Sequence, residues 1–162
     1  MKYFIGIDPG QTGAVAALDE EGKVLGVCDT PILTIKKNKG TRHELDRPAM
    51  VTIIYRITQD GPSVYAAIER VNSMPGQGVA SSFSFGMGYG IWLGILTSLH
   101  IPHDLVHPTR WKKVMLDSMG KNKDASRIRA KELFGNQVDL SLKKHHGRAD
   151  ALLLAEYRRR IG

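Results

Sequence analysis

Short apolar, β-prone runs separated by turn residues fill the first thirty positions of the chain. The first run ends at Asp8, where a Pro-Gly pair breaks it, and the second occupies residues 14–19. A turn at residues 20–23 separates the second run from the third, residues 24–28. Runs of this length, bounded by such turns, predict a three-stranded meander at the start of the fold.

The rest of the chain alternates between helical and strand patterns. After a polar basic loop at residues 36–42, apolar residues recur at helical spacing over residues 44–59. Later segments predict strands at 64–69 and 103–106, and helices at about 80–99, from Pro108, at 124–134 and at 148–161. This order predicts one α/β domain over residues 1–162, a mixed sheet with helices packed on it.

Charge is the most informative feature of the composition. The 162 residues include 23 Lys and Arg against 16 Asp and Glu, a net charge of +7, and the isoelectric point is near 9.6. This excess indicates a polyanionic partner, with nucleic acid the first expectation. The longest apolar run, residues 89–99, is shorter than the ~20 residues of a membrane span. The N-terminus lacks a signal-peptide pattern, so we expect no membrane association and a cytosolic location.

The single cysteine, Cys28, excludes an intrachain disulfide framework and a zinc site built on cysteines. Its neighbours in the sequence include the apolar residues Val24, Leu25 and Val27. We therefore expect Cys28 to be a packed strand residue and not a reactive thiol.

Two acidic residues stand where a predicted strand gives way to a loop. Asp8 ends the first strand and Glu69 ends the fourth. Ligands and catalytic groups gather at the carboxyl ends of strands in α/β sheets, so these carboxylates converge if their strands are neighbours. Alternatively, Asp8 is a turn residue before Pro-Gly, and Glu69 is half of a surface ion pair.

Asp150 is the third acidic candidate. It sits among alanines and leucines, where a charge is costly unless it is paired or binds a metal. His146 precedes it by four residues, so the two side chains can share one helical face. Together with Asp8 and Glu69 they would form a metal site of three carboxylates and an imidazole.

Three blocks of sequence contain these residues. They are residues 5–13 (IGIDPGQTG), 67–69 (AIE) and 146–153 (HGRADALL). In their order and in their strand or helix context they resemble the RuvC-like Holliday junction resolvases of the ribonuclease H-like superfamily. The resemblance spans nearly the whole chain. It implies a ribonuclease H-like fold, with a central mixed five-stranded sheet flanked by helices, in a single nuclease domain.

The resemblance also implies a dimeric, magnesium-dependent endonuclease that nicks opposing strands of a four-way DNA junction. Asp8, Glu69 and Asp150 match carboxylate positions that hold two divalent ions in that family. His146 matches a remaining ligand position that is usually Asp. The spacing of four residues leaves His145 and His146 both open, with His146 preferred.

Phosphodiester hydrolysis gives a physical reason for such a cluster. It needs a deprotonated water opposite the leaving oxygen. Two metal ions roughly 3.5–4 Å apart can activate the water and neutralise the charge on the leaving oxygen. Hard oxygen ligands suit Mg²⁺, whereas an imidazole admits Mn²⁺ more readily. We therefore expect two Mg²⁺ ions per site, with Mn²⁺ able to substitute, and no nucleotide cofactor.

Basic residues recur in six clusters along the chain, more than solubility requires. In the family, lysines after the fifth strand approach the active-site phosphate, and Lys112 and Lys123 match their separation of eleven residues. Lys113 and Lys121 are close alternatives for this role. The residues expected to contact DNA outside the catalytic group are Arg70, Asn72, Lys113, Lys121, Lys36 and Lys37.

The loop after Glu69 resembles the segment that enters the junction centre in the family. Many members have an aromatic residue three positions after the glutamate, where this chain has Asn72. The alternative wedge residues are Met74, Phe83 or Phe85, or else Arg70 and Asn72 hydrogen-bond the DNA backbone or bases at this position. The short chain and the departures at Asn72 and His146 are typical of a phage-type or divergent member, which would act in the host cytoplasm.

Glycines recur along the helix predicted at residues 80–99, at Gly86, Gly88, Gly90 and Gly94. Their spacing permits another helix to approach closely, either from the same fold or from a second copy in a homodimer. Trp92 and Trp111 are interpreted as core or interface residues and not as base-stacking platforms.

Other function classes fit parts of the pattern. Residues 8–13 also resemble the first phosphate loop of sugar kinases, actin and heat-shock chaperones, but those ATPases need a second lobe that 162 residues do not hold. A non-catalytic module that binds structured DNA fits the charge, yet carboxylates repel a phosphate backbone unless metal is present. A ribonuclease H-type enzyme on RNA–DNA hybrids would share the catalytic residues and differ in the shape of its substrate.

Overall fold

A computed structural model describes residues 1–59, 63–72, 76, 78–120 and 122–162. Lys121 and Met74, both named above as candidates, lie outside the described residues. The strands are β1 (Lys2–Asp8), β2 (Ala14–Leu18), β3 (Val24–Asp29), β4 (Ile32–Lys36), β5 (Thr41–Leu45), β6 (Ser63–Glu69) and β7 (His103–Val106). The α-helices are α1 (Arg47–Thr58), α2 (Val79–Ser98), α3 (Pro108–Met115), α4 (Ala125–Phe134) and α5 (His146–Ile161).

Within the described chain, five strands form one mixed sheet in the order β3-β2-β1-β6-β7. β1, β2 and β3 form the antiparallel meander predicted from the sequence. β6 runs parallel to β1, with Ile7 opposite Ile68, and β7 runs parallel to β6. The carboxyl ends of these three parallel strands therefore lie at the same edge of the sheet.

Apolar side chains cover both faces of this sheet. One face packs against α3, α4 and α5 through residues such as Leu18 and Leu152, which are fully buried. The other face packs against α1 and α2 through Ile5, Ile54 and Trp92. Because β1 and β6 are covered on both sides, their sequences are nearly continuous apolar runs and do not alternate.

Glycines allow α5 to cross the sheet at very short range. A Cβ atom on Gly6 of β1 would collide with the carbonyl oxygen of Ala151. A Cβ atom on Gly147 would collide with the carbonyl oxygen of Thr12, in the loop between β1 and β2. Since every other residue type carries a Cβ atom, these two glycines set how closely the start of α5, with Asp150, approaches the end of β1.

The segment between β3 and α1 differs from its prediction. The sequence predicts a basic loop over residues 36–42 and a helix from residue 44, but β4 and β5 pair as an antiparallel hairpin, with Ile32 opposite Leu45. β4 has an apolar sequence although its side chains are exposed, and β5 is mostly polar, so neither strand shows the pattern of a strand with one buried face. α1 begins at Arg47 because the Asp46 side chain caps it.

Cys28 lies in β3, but the expectation that it is packed is wrong, because its side chain is exposed. β3 is an edge strand of the main sheet, and most of its side chains are exposed or half-buried. An apolar stretch in the sequence does not distinguish an edge strand from a central one.

α2 is long and apolar enough to cross a membrane, by length and composition alone. Core helices of soluble proteins pass the same test. In this fold Trp92, Ile95 and Leu96 of α2 are buried against the sheet and its neighbouring helices.

Candidate active site

Asp8 and Glu69 occupy the last positions of neighbouring parallel strands. β1 and β6 remain paired up to Ile7 and Ile68, one residue before each carboxylate. Both acidic side chains are half-buried at this edge of the sheet. The strands are thus neighbours, as the convergence of these carboxylates requires.

The three predicted carboxylates form a crowded group. Burial, followed by repulsion from Asp150 and from Glu69, raises the pKa of Asp8 from 3.8 to about 7. The backbone N–H of Gly10, which is 3.4 Å from Asp8 Oδ1, and the charge of Lys112 act in the opposite direction. Burial is also the main cause that raises the pKa of Glu69 and of Asp150. Such a group favours either a bound proton or a bound cation.

The chemistry of these donors fits a hard divalent cation. Oδ1 of Asp150 is buried and has no hydrogen-bond partner among the described residues, so this oxygen is free to accept a ligand. Carboxylate oxygens are the ligands that Mg²⁺ prefers. In the described part of the chain, however, no three His, Cys, Asp or Glu side chains are arranged as they stand to hold a metal ion. A metal site on these residues would require their side chains to turn towards a shared ion.

The two adjacent histidines have different surroundings. His145 is buried, and its Nδ1 lies 3.8 Å from Oδ1 of Asp139. His146 is half-exposed at the start of α5, and its charge lowers the pKa of Asp150. Its Nε2 lies 3.5 Å from Oδ1 of Asp124. This arrangement supports His146 over His145 as the residue that accompanies the carboxylates.

Among the predicted lysines, the structure brings Lys112 to the carboxylates. The charge of Lys112 lowers the pKa of Asp8, Glu69 and Asp150. Lys113 is exposed on α3, and Lys123 is exposed in the turn before α4. Neither is among the principal charges that act on the three carboxylates. Their roles, and that of Lys121, stay predictions.

The loop residues Arg70 and Asn72 are both exposed directly after β6. They therefore lie beside the carboxylates, at the same edge of the sheet. Of the predicted wedge residues, Phe83 is 72% exposed, whereas the ring of Phe85 lies against Gly10. The exposed ring of Phe83 is the more accessible of the two.

The hairpin of β4 and β5 leaves the sheet at the carboxylate edge. β3 ends at Asp29, which is opposite Ala14, and Ala14 is in turn opposite Asp8. The predicted DNA contacts Lys36 and Lys37 are exposed at the far end of this hairpin. Their charges therefore extend outward from the same side of the molecule as the acidic group.

Trp111 is a site residue that the sequence did not reveal. Its side chain is fully buried, which confirms the prediction of a core residue. In addition, its Nε1–H donates a 2.7 Å hydrogen bond to Oε2 of Glu69. A tryptophan 42 positions from the glutamate carries no local pattern that would signal this contact.

Asp124 is the second residue missed. It precedes α4 directly and contacts both His146 and Arg127, with an Arg127 Nη2 to Asp124 Oδ2 distance of 3.3 Å. The sequence predicts only that it begins the helix at residues 124–134. The carboxylate–imidazole contact depends on the packing of α4 beside α5.

The architecture and the positions of the acidic residues define a ribonuclease H-like fold of the RuvC type. Solved structures support this assignment across nearly the whole chain. RuvC of Thermus thermophilus matches with a TM-score of 0.59 and 16% identity, over 99% of this chain and 96% of that one. The same protein in complex with a Holliday junction substrate matches with a TM-score of 0.64 and 12% identity, over 100% and 97%. The fold expected from the sequence is confirmed.

Two resolvases of eukaryotic organelles are also similar. The yeast mitochondrial Holliday junction resolvase Ydc2 matches with a TM-score of 0.55 and 18% identity, over 96% of this chain and 77% of that one. In sequence, the chain is 38% identical over 96 residues, 59% of its length, to the chloroplastic Holliday junction resolvase MOC1 of Chlamydomonas reinhardtii. The chain matches 11% of the length of this curated relative. No family model matches the chain.

Proposed function

We propose that this chain is an endonuclease that resolves four-way (Holliday) DNA junctions by metal-dependent hydrolysis on opposing strands. The observation that carries the proposal is the group of three crowded carboxylates on a chain with a net charge of +7. Acidic groups beside a phosphate backbone favour DNA only with cations bound. The similarity to MOC1 and the fold shared with RuvC and Ydc2 support the substrate class.

The proposed ligands of two divalent ions are Asp8, Glu69, Asp150 and His146. The expected ions are Mg²⁺, with Mn²⁺ able to substitute, and they would supply an activated water and neutralise the leaving oxygen. Asp8 binds a cation only in its ionised form, and its pKa is about 7. Ion binding near neutral pH is therefore coupled to proton release from this group.

Lys112 and Lys123 are the proposed phosphate-directed lysines, with Lys112 the better supported. The Lys112 side chain is exposed on α3 and its charge acts on all three carboxylates. A compact ammonium in this position can stabilise negative charge that develops on the reacting phosphate. The position of Lys112 beside the acidic group thus suits transition-state stabilisation.

The hairpin and the loop after β6 would hold the DNA arms. Lys36 and Lys37 are exposed on the hairpin, and Arg70 and Asn72 are exposed beside the carboxylates. Lysine and arginine side chains neutralise backbone phosphates without reading sequence, so this surface would recognise the arrangement of the arms.

A homodimer would account for paired nicks. The glycines of α2 whose Cβ positions face open space among the described residues are Gly86, Gly90 and Gly94. Phe83 and Met87 lie on the same helical face and are 72% and 49% exposed. Gly88, in contrast, faces Leu45 of its own fold. The open apolar face of α2 therefore suits a second copy of the chain.

Light scattering tests this dimer. We expect the wild-type protein to have twice the mass of the 17.9 kDa chain, and Gly90→Arg to have the mass of one chain. The arginine meets no neighbour at its Cβ position among the described residues, so it spares the fold of each copy. A wild-type mass of one chain at micromolar concentration would contradict the paired arrangement.

Substrate preference tests the proposed function. Purified protein with Mg²⁺ is incubated with a labelled immobile four-way junction, a duplex, a single strand and an RNA–DNA hybrid. The proposal predicts cleavage of the junction in preference to the other three. Preference for the hybrid would favour a ribonuclease H-type activity, and junction binding without any cleavage would favour a non-catalytic module.

A further inference from the structure

Trp111 touches two functional groups of the candidate site at once. Its Nε1–H donates to Oε2 of Glu69 at 2.7 Å, and Nζ of Lys112 lies 5.2 Å from the centroid of its ring. The first contact is a hydrogen bond to a carboxylate, and the second is within the range of a cation–π interaction. One indole therefore lies against both an expected metal ligand and the lysine of the site.

The other tryptophan shows that burial alone does not explain this contact. Trp92 and Trp111 are both fully buried. The Nε1–H of Trp92 has no hydrogen-bond partner within the described residues, whereas that of Trp111 donates to a carboxylate. This fold therefore tolerates a buried indole without a partner, so packing does not by itself require the contact to Glu69.

The geometry also leaves Glu69 able to bind an ion. The indole N–H donates to Oε2 of Glu69, which leaves Oε1 to face an ion. Carboxylates that bind metal ions are commonly held by a second hydrogen bond that sets their orientation. The indole also links the end of β6, which carries Glu69, to α3, which carries Lys112 in its last turn.

We propose that Trp111 is a positioning residue that orients Glu69 for divalent-ion binding through its indole N–H and holds Lys112 beside it through its ring. The role rests on the proposed metal-dependent function. It concerns the indole N–H specifically, so replacement by phenylalanine removes the donor while retaining a buried aromatic ring. Trp92→Phe is the matched control, since it removes an equally buried indole whose N–H has no partner in the described chain.

Spectroscopy provides a readout that does not depend on activity. The chain has two tryptophans, so ¹⁵N-labelled protein gives two indole N–H signals, which the two phenylalanine variants assign. We expect Mg²⁺ to shift the Trp111 signal and to leave the Trp92 signal in place. A Trp111 signal that is unchanged at saturating Mg²⁺ would overturn the proposal, whether or not Trp111→Phe folds.

Cleavage assays provide the second arm. Trp111→Phe should need roughly 10-fold to 100-fold more Mg²⁺ for half-maximal junction cleavage than Trp92→Phe, the usual range for loss of a group that orients a metal ligand. Equal Mg²⁺ dependence in the two variants would overturn the proposal. If the wild-type protein cleaves no junction, the proposed function fails, and the response of the Trp111 signal to Mg²⁺ still decides the positioning role.

Discussion

The carboxylate edge of the main sheet and the β4–β5 hairpin lie on the same side of the molecule, but their charged side chains differ in burial. At the edge, burial, followed by repulsion from Asp150 and Glu69, raises the pKa of Asp8 to about 7. On the hairpin, Lys36 and Lys37 are exposed to solvent. The buried carboxylates of the first region cost stability, whereas the exposed lysines of the second add charge at almost no cost.

This contrast predicts how the two regions respond to substitution. The function of a buried group of acidic residues depends on each of its residues and on the backbone that positions them. Exposed charges act nearly independently, so each one contributes a small and salt-dependent part. Substitutions at the carboxylate edge should therefore abolish function, and substitutions on the hairpin should weaken it gradually.

The largest expected effect is that of Asp8→Asn on cleavage. We expect the rate to fall by at least about 1000-fold, because the amide cannot provide the anionic oxygen that an activating cation needs. Single-turnover cleavage of a labelled junction measures this loss. Asp117→Asn, at an exposed acidic residue, is the control and should retain the wild-type rate. Comparable losses in both variants would remove the distinction between the buried and exposed acids.

The same substitution should stabilise the metal-free protein. The folded state holds the Asp8 proton up to about pH 7, whereas the unfolded chain releases it near 3.8. The free energy of unfolding therefore falls as the pH rises between these values, because the folded state binds more protons. Above pH 7, this difference between the two pKa values destabilises the folded state by at most about 4 kcal/mol, and Asp8→Asn removes that destabilisation.

Urea denaturation in the presence of EDTA measures this effect. Above pH 7, Asp8→Asn should be more stable than the wild-type protein, and near pH 4 the two should be similar. Added Mg²⁺ should reverse the order at high pH by stabilising the wild type alone. A less stable Asp8→Asn at every pH would show that Asp8 is a structural residue and that its carboxylate is not crowded.

An intermediate effect is expected for Lys112. Replacing it with alanine should lower the cleavage rate by about 100-fold, since it removes a positive charge beside the proposed position of the reacting phosphate. Lys113→Ala, one position further along α3, should change the rate much less, and both variants should bind the junction. If Lys113→Ala is the more damaging of the two, the charge acting on the phosphate has been assigned to the wrong lysine.

The smallest effect is expected on the hairpin. The double variant Lys36→Ala with Lys37→Ala should bind the junction about 10-fold more weakly at low salt, and the slope of log affinity against log salt should decrease by about 2. Its matched control is Lys2→Ala with Lys23→Ala, at exposed positions on the opposite edge of the sheet. Equal losses of affinity in the two double variants would mean that the hairpin has no special contact with DNA.

The same contrast explains what the sequence could predict. Asp8, Glu69 and Asp150 could be found because each follows or interrupts an apolar segment, and such segments show where a charge is out of place. The sheet that joins them also followed from the runs of apolar residues. Glycines 6 and 147 were part of the recognised blocks, although the close crossing of α5 that they permit is visible only in three dimensions.

The features that were missed depend on contacts or on exposure. In the β4–β5 hairpin, β5 is mostly polar and the apolar side chains of β4 are exposed, so the pairing of the two strands does not follow from a buried apolar face. Cys28 has apolar neighbours but lies on an edge strand. Trp111 and Asp124 contact residues that are remote in sequence, namely Glu69 and His146. Local pattern carries no information on such pairs.

The most direct test of the central claim is the position of the nicks in a four-way junction labelled in turn on each of its four strands. With Mg²⁺, the wild-type protein should nick two opposing strands at symmetric positions and release two nicked duplexes, and Asp8→Asn should release none. Nicks scattered over all four strands, or equal cleavage of a linear duplex, would contradict the assignment of the carboxylate edge as the centre of a junction-resolving nuclease.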